Sequence, residues 1–126
     1  MRAKDKTGML GEDIAAEYLR TQGHTILHRR WRCTRGELDL VTRDGEHLVA
    51  VEVKTRRGTG FGNPLEAVTP QKLARLHRLL LEYCAAENRF RSARRVDVVA
   101  IVLSGSSVPH AGEHLVRRLE HLKDVS

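Results

Sequence analysis

The chain has 126 residues, a length that predicts one domain spanning 1–126. Hydrophobic residues make up 40% of it and charged residues 30%, which excludes collagen-like and low-complexity proteins and argues against wholesale disorder. The formal net charge is +6, with arginine at 17 of the 22 basic positions; since arginine binds phosphate bidentately, this excess favours a nucleic-acid partner, with a solvated arginine-rich surface as the alternative.

The first predicted elements are a helix and a strand. Thr7 is a suitable N-cap for a helix over 7–22, and Gly23 is a suitable end for it. Apolar residues at helical spacing form its buried stripe, namely Leu10, Ile14, Ala15, Tyr18 and Leu19. Residues 25–33 then predict a strand of mixed polarity, whose arginines either line a DNA groove or protect a solvated edge strand.

A β-hairpin is the next predicted element. Residues 36–43 and 46–54 read as strands, and Asp44-Gly45 between them is typical of a two-residue turn. Such a turn fixes the register, so that the numbers of paired residues sum to 89. One face of the hairpin is apolar enough to pack on a helix, and it carries Leu38, Leu40, Thr42, His47, Val49, Val51 and Val53.

The opposite face of the hairpin carries a cluster of acids. The predicted register places Glu37 opposite Glu52 and Asp39 diagonal to Glu52. Like charges in this arrangement are destabilising and raise one another's pKa values. A divalent cation resolves the conflict, because Mg²⁺ binds clustered carboxylate oxygens. The alternative is a solvated end of the sheet with Lys54 and Arg56 as counter-ions.

The second half of the chain predicts a helix and one or two strands. The helix spans 69–87, with Thr69 as its N-cap and Pro70 at its first position. Residues 95–103 are almost continuously apolar, which predicts a central strand covered on both faces. The last stretch, 113–122, fits either a short helix or an edge strand.

Lys54 adds a third functional group beside the acids. It follows Glu52 by two residues and therefore lies on the same side of the strand. There it can orient a water molecule and offset negative charge that develops on a phosphate. The order Asp39, twelve residues, then Glu52-Val53-Lys54 resembles the signature of PD-(D/E)XK nucleases.

The motifs around these residues resemble the YraN family of bacterial proteins. They are GEDIAAEYL at 11–19, RGELDLV at 35–41, VEVKTR at 51–56, FGNPLEAV at 61–68 and RVDVV at 95–99. The resemblance covers most of a core at 8–103 and leaves a C-terminal tail, 104–126. It implies an α/β fold of the restriction-endonuclease-like class, in which a mixed central β-sheet is flanked by α-helices.

This resemblance also implies an activity, a cofactor and partners. The activity is hydrolysis of phosphodiester bonds in DNA rather than RNA, either branched or single-stranded, with Mg²⁺ or Mn²⁺ as cofactor. Similarity to archaeal Holliday-junction resolvases implies a homodimer. Two alternatives stay open, namely a non-catalytic nucleic-acid-binding module that keeps the nuclease fold, and a scaffold protein whose acids are structural.

The resemblance assigns roles to the residues of the site. Asp39 and Glu52 hold the metal together with the Val53 carbonyl, and Lys54 positions the nucleophilic water. Glu12 matches a helix glutamate that completes the set of metal ligands in resolvase-like relatives. The alternative for Glu12 is an acid in the first turn of its helix, favoured there by the helix dipole.

Residues around the site are expected to support it or to contact DNA. Glu37 either contacts the metal ligands without binding the metal itself or faces the DNA. The resemblance also implies that Gln71 and Lys72 approach the site from the start of the second helix, unless they are ordinary helix-start residues. The predicted DNA contacts are Arg35, Arg56, Arg57 and Lys72. Arg56 and Arg57 belong to a glycine-rich loop at 56–64. This loop either binds a phosphate through its backbone amides or is a connector anchored by Phe61.

The remaining signals predict few further sites. No apolar run approaches the ~20 residues of a membrane span, so no membrane association is expected. The isolated Cys33 and Cys84 indicate reduced thiols and a cytoplasmic protein. The zinc-like spacing HAGEH at 110–114 is rejected because Pro109 and Gly112 disfavour the helix that it needs.

Five histidines without ligand spacing are expected at the surface or in packing contacts, namely His24, His28, His47, His77 and His121. Asp97 is expected to be a buried acid paired with Arg95 or a backbone amide.

Overall fold

Two helices and five strands are present in the parts of the chain that the computed structural model describes, which are residues 3–58, 68–89, 93–104 and 116–126. The elements in chain order are α1 (Ala3–Thr21), β1 (Thr25–Cys33), β2 (Gly36–Asp44), β3 (His47–Arg57), α2 (Pro70–Ala86), β4 (Ala93–Leu103) and β5 (Val116–Leu122). The strands form one sheet in the order β1-β2-β3-β4-β5. Of the four strand pairs among these described residues, β3–β4 is parallel and the other three are antiparallel, so the expected mixed sheet flanked by helices is confirmed.

The helix ends follow local signals, with one exception. Gly23 has φ 91, and the His24 N–H donates to the Leu19 carbonyl at 2.9 Å, as in a Schellman end. The start of α1 is different from the prediction, because the helix begins at Ala3 and Thr7 lies inside it. The start of α2 is as predicted, since the Thr69 side chain accepts from the Lys72 N–H at 3.1 Å.

The hairpin between β2 and β3 has a different register from the predicted one. Asp44 pairs with His47, so the numbers of paired residues sum to 91. The centre of the turn is therefore Gly45-Glu46, and Gly45 adopts φ 61, as a glycine at the first central position of a II′ turn does. A shift of two keeps each strand's alternation, but it changes which residues face each other across the strands.

Both faces of the sheet are buried under a helix. The cluster beside α2 includes Leu38, Val41, Leu48, Ala50, Leu76, Leu80 and Val96. The cluster beside α1 includes Ala15, Leu19, Leu40, Val49, Val51, Val99 and Ile101. The prediction that Leu38 and Leu40 share a face is wrong. The β2–β3 ladder begins only at Leu40, and before it β2 pairs with β1 alone, so β2 turns away from β3 there.

The second half of the chain completes the sheet. β4 is central and buried along most of its length, as its apolar sequence predicts. Residues 116–122 form the edge strand β5, which decides between the helix and the strand. Among the described residues no helix has the length and apolarity to cross a bilayer. Cys33 and Cys84 are both free, as their spacing predicts.

Gly11 allows α1 to lie directly on β3. A Cβ built at this position would overlap the side chain of Thr55, whereas one built at Gly8 on the same helix meets nothing within 4 Å. We therefore expect Gly11→Ala to lower the free energy of unfolding by roughly 1–3 kcal/mol, because overpacking strains the contact. Gly8→Ala is the matched control and should be neutral or stabilising by up to about 1 kcal/mol. Urea unfolding of both variants measures the difference, and equal stabilities would contradict this packing.

Candidate functional site

Asp39 and Glu52 meet where β2 and β3 separate. The ladder ends at the pair Leu40 and Val51, and continuing its register puts Asp39 directly opposite Glu52. At this point Asp39 Oδ2 accepts a hydrogen bond from the Val53 N–H at 2.9 Å. The two carboxyl groups are also close enough to interact directly with each other. The two acids are therefore closer than the diagonal relation that the sequence predicts.

The environment of this acid pair favours a proton or a cation. Burial is the largest cause that raises the pKa of Asp39, followed by the charge of Glu52 and the direct interaction between the carboxyls, and together they bring it to about 7. The Val53 N–H and Lys54 act in the opposite direction. Two adjacent carboxylates that are largely withdrawn from water cannot both stay ionised without a compensating positive charge.

Two lysines supply positive charge at the edge of the pair. Lys72 Nζ lies 3.5 Å from Glu52 Oε2. Lys54 lies beside Lys72, and its contact with that amine is the largest cause that lowers the pKa of Lys54, with burial as the second cause. The backbone of Lys72 is fixed at the start of α2, because its N–H donates to the side chain of Thr69. The structure thus brings Lys72 into contact with Glu52, at the site that the resemblance implies for the start of the second helix.

Glu12 approaches the same acids from α1. It is buried, and Arg30 Nε donates to its carboxylate oxygens at 3.0 and 3.2 Å. Burial is the largest cause that raises the pKa of Glu12, and the charge of Asp39 contributes. Because α1 begins at Ala3, Glu12 is well past the first turn, and the helix-dipole alternative is wrong.

Arg30 holds Glu12 from an unusual backbone conformation. Its φ is 54, in the left-handed region that side-chain-bearing residues rarely adopt. Such backbone outliers cluster at functional sites, where the surrounding structure enforces them. The pair therefore connects β1 to α1 beside the acid pair, and it neutralises the third carboxylate of the site.

Glu37 occupies a different place from the predicted one. It pairs with Arg32 across β1 and β2, with Arg32 Nε 3.1 Å from Glu37 Oε2. The prediction that it faces Glu52 across the hairpin is wrong because the register sums to 91. Glu37 nevertheless lines a cleft of about 480 Å³ together with Glu52, Gln71, Lys72, Arg75, Leu76 and Leu79. Gln71 and Lys72 therefore reach the site region, as the sequence predicts.

The expected DNA-contacting arginines have partners within the chain. Arg35 forms an ion pair with Glu82 at 3.3 Å, and its carbonyl accepts from Arg75 at 3.2 Å, beside the cleft. Arg57 Nε donates to Thr7 Oγ1 at 3.0 Å, and Arg56 donates to the Thr55 carbonyl at 3.4 Å. Most of the glycine-rich loop, including Phe61, lies outside the described residues, as does the HAGEH spacing at 110–114.

The arginines of β1 and the turn after it are paired with acids one by one. The pairs are Arg29 with Asp13, Arg30 with Glu12, Arg32 with Glu37 and Arg35 with Glu82. This pairing favours the interpretation of β1 as a charged edge strand. β1 is the first strand in the sheet order, and charge on an exposed edge discourages pairing with another sheet.

A second polar cluster, which the sequence does not predict, lies under the C-terminal end of α1. It consists of His24, Asp97 and His121. Asp97 is buried and bound by Arg95 at 3.0 Å, as expected. His24 and His121 are packed inside rather than lying at the surface. These positions are far apart in the sequence, so no spacing could have indicated that they meet.

Comparison with known proteins gives one family. The model of the uncharacterised protein family UPF0102 matches residues 11–101. A UPF0102 protein of Arthrobacter sp. (strain FB24) is 48% identical over 125 residues, which is 99% of each chain. One from Kineococcus radiotolerans is 49% identical over 127 residues, covering 100% of this chain and 98% of the relative. One from Beutenbergia cavernae is 46% identical over 99% of each chain.

Proposed function

We propose that this chain, which belongs to the uncharacterised protein family UPF0102, is a divalent-metal-dependent nuclease that hydrolyses phosphodiester bonds in DNA. The family membership agrees with the YraN resemblance of its motifs. The finer parts of the proposal are the restriction-endonuclease-like fold and the nuclease activity. The observation that carries them is the close approach of the Asp39 and Glu52 carboxyl groups, with two neighbouring lysines beside them.

The donor set fits a hard divalent cation. Asp39 and Glu52 offer carboxylate oxygens from adjacent strands, and the Val53 carbonyl is the third oxygen that the proposal assigns. Burial and repulsion within the pair make its doubly ionised state costly, and a bound cation removes that cost. When bound, Mg²⁺ or Mn²⁺ lowers the pKa of water and neutralises charge on the phosphate. Glu12, which Arg30 holds beside the acid pair, is the further carboxylate that would complete the site.

The two lysines have separate tasks in this proposal. Lys54 follows Glu52 on β3 and orients the attacking water while offsetting the negative charge of the transition state. Lys72 lies on α2, where it lines the cleft, and it holds the phosphate in position. Gln71 and Arg75 line the same cleft, which gives the sugar-phosphate strand polar groups along its path.

A cleavage assay tests the activity directly. Labelled duplex, single-stranded, flapped and four-way DNA are incubated with the chelator-treated protein and then with Mg²⁺ or Mn²⁺. We expect metal-dependent cleavage of at least one substrate, abolished by EDTA. Four intact substrates, together with salt-sensitive DNA binding that survives Asp39→Asn, would instead support the non-catalytic DNA-binding module.

Thermal unfolding tests the metal site without DNA. At about 100 times its dissociation constant, a ligand that binds only the folded state adds about 2.7 kcal/mol to the free energy of unfolding. We therefore expect Mg²⁺ or Mn²⁺ to raise the melting temperature, and Asp39→Asn to remove that rise. Asp13→Asn, an exposed acid on α1, is the matched control and should keep it. No shift with either ion would favour a scaffold whose acids are structural.

A further inference from the structure

The cluster of His24, Asp97 and His121 has the composition of a metal site and lies apart from the acid pair. The ligand atoms that these three side chains offer all lie within 4.8 Å of one another. His24 follows α1, Asp97 lies on β4, and His121 lies on β5, so the cluster joins three distant segments. The side chains of His24 and Asp97 are fully buried, and that of His121 is 4% exposed.

His24 has a buried nitrogen that lacks a partner. Its Nδ1 lies 2.8 Å from Thr42 Oγ1, whereas its Nε2 is buried without a hydrogen-bond partner among the described residues. Asp44 Oδ2 lies 3.5 Å from this nitrogen, but no hydrogen bond joins the two atoms. Buried polar atoms in native proteins nearly always have a partner, so an orphaned one needs an explanation.

The other histidine ring has a matching arrangement. His121 Nδ1 lies 3.1 Å from the hydroxyl of Tyr18, and its Nε2 lies 2.8 Å from Asp97 Oδ2. If both rings carry their proton on Nδ1 and donate to Thr42 and Tyr18, both Nε2 atoms keep a free lone pair. Metal-binding histidines use this arrangement, in which the second ring nitrogen donates to an oxygen that fixes the ring.

Asp97 is positioned to give one oxygen to such an ion. Its Oδ1 accepts from Arg95 Nε and from the Asp124 N–H, both at 3.0 Å. Its Oδ2 faces His121 and also accepts from Arg95 at 3.2 Å. A purely hydrogen-bonded network accounts for Asp97 and His121, with His121 donating to Oδ2. It leaves the His24 nitrogen unexplained.

The distances suit zinc. Ligand bonds of 2.0–2.1 Å in a tetrahedron separate neighbouring ligand atoms by roughly 3.3 Å. The three ligand atoms lie within 4.8 Å of one another, and the 2.8 Å between His121 Nε2 and Asp97 Oδ2 would widen slightly to take this spacing around an ion. Asp44 is 30% exposed, so it borders solvent. It lies beside the position that a fourth zinc ligand would take.

We infer that His24, Asp97 and His121 form a structural zinc site whose fourth position opens toward Asp44. Bound zinc would connect the end of α1 to β4 and to the C-terminal strand β5. Structural zinc stabilises the fold in this way because the unfolded chain does not hold its ligands together. This inference does not depend on the proposed nuclease activity, since it uses none of the residues of the acid pair.

Calorimetric titration of chelator-treated protein with zinc tests the inference. We expect one zinc ion per chain with a dissociation constant below about 1 µM, and a rise in melting temperature. His24→Gln should weaken binding at least about 100-fold, since it removes a ligand. His77→Gln, on α2 and outside the cluster, is the matched control and should bind as the parent does. Asp39→Asn should also bind normally, which separates this site from the acid pair.

Cobalt substitution gives a second readout that needs no variant. Co²⁺ in the site should show the intense visible bands of a tetrahedral complex, and zinc should displace it. A thiolate charge-transfer band would place the ion on Cys33 or Cys84 and overturn the inference. Binding weaker than about 0.1 mM, or binding that His24→Gln leaves unchanged in a folded protein, would overturn it as well.

Discussion

Lys54→Met is expected to lower the rate of Mg²⁺-dependent DNA cleavage by about 10³-fold while leaving metal binding intact. Methionine keeps most of the length of the side chain but has no charge and no proton donor. A group that stabilises charge only in the transition state affects the rate and leaves ground-state binding unchanged. Single-turnover cleavage rates, measured beside the metal-induced rise in melting temperature, separate the two effects.

The control for this variant is Lys123→Met. Lys123 is exposed and follows β5, so its loss removes the same charge from a place outside the cleft. It should change the cleavage rate less than about threefold, through DNA binding alone. If both lysine variants lose activity equally, general attraction of DNA accounts for the effect. If Lys54→Met instead cancels the metal-induced rise, Lys54 acts by holding the carboxylates.

Asp39→Asn is expected to stabilise the metal-free protein at neutral pH. In the folded chain the pKa of Asp39 is raised from 3.8 to about 7, mainly by burial and next by Glu52. Between these values the folded state keeps a proton that the unfolded state has lost, so stability falls as pH rises from about 4 to 7. Asparagine does not titrate and still offers an oxygen to the Val53 N–H. We expect a gain of roughly 2–4 kcal/mol above pH 7.

Denaturant unfolding at several pH values with EDTA present checks this expectation. The difference between parent and Asp39→Asn should be small near pH 4 and should grow up to about pH 7. Metal affinity of the parent should follow the opposite course, strengthening as pH rises through the same window, because the ion displaces the proton. Asp13→Asn is again the control. A constant difference across this range would show that Asp39 is not protonated in the folded protein.

The fold was predictable wherever a local signal decided the structure. Gly23 ends the first helix, Thr69 and Pro70 start the second, and the apolar run at 95–103 marks a central strand. The turn was harder, because both Asp44-Gly45 and Gly45-Glu46 offer a glycine with positive φ. The choice depends on the pairing of whole strands, which a dipeptide does not determine. The assignment of Leu38 to the wrong face also has a tertiary cause, because β2 pairs with β3 only from Leu40 onward.

The candidate site was predictable in composition and less so in geometry. The order of Asp39, Glu52 and Lys54 along two strands was enough to expect them together. The contact of Lys72 with Glu52 depends on how α2 is placed over the sheet, and the pairing of Glu12 with Arg30 depends on a strained backbone position. Neither contact follows from residue spacing, although the resemblance implies that Glu12 and Lys72 lie near the site. The histidine cluster does not follow from residue spacing either, because its members are brought together only by the complete sheet.

The C-terminal strand β5 also has a protective role that follows from its place in the sheet. Its partner β4 is continuously apolar from Val98 to Leu103, and the Val125 N–H donates to the Val96 carbonyl at 2.8 Å, which extends the cover beyond the strand. A shortened protein ending near residue 104 would leave the backbone groups of β4 open along that side. An open, flat and apolar edge recruits strands from other molecules. β5 and Val125 therefore reduce the tendency to aggregate, independently of any reaction in the cleft.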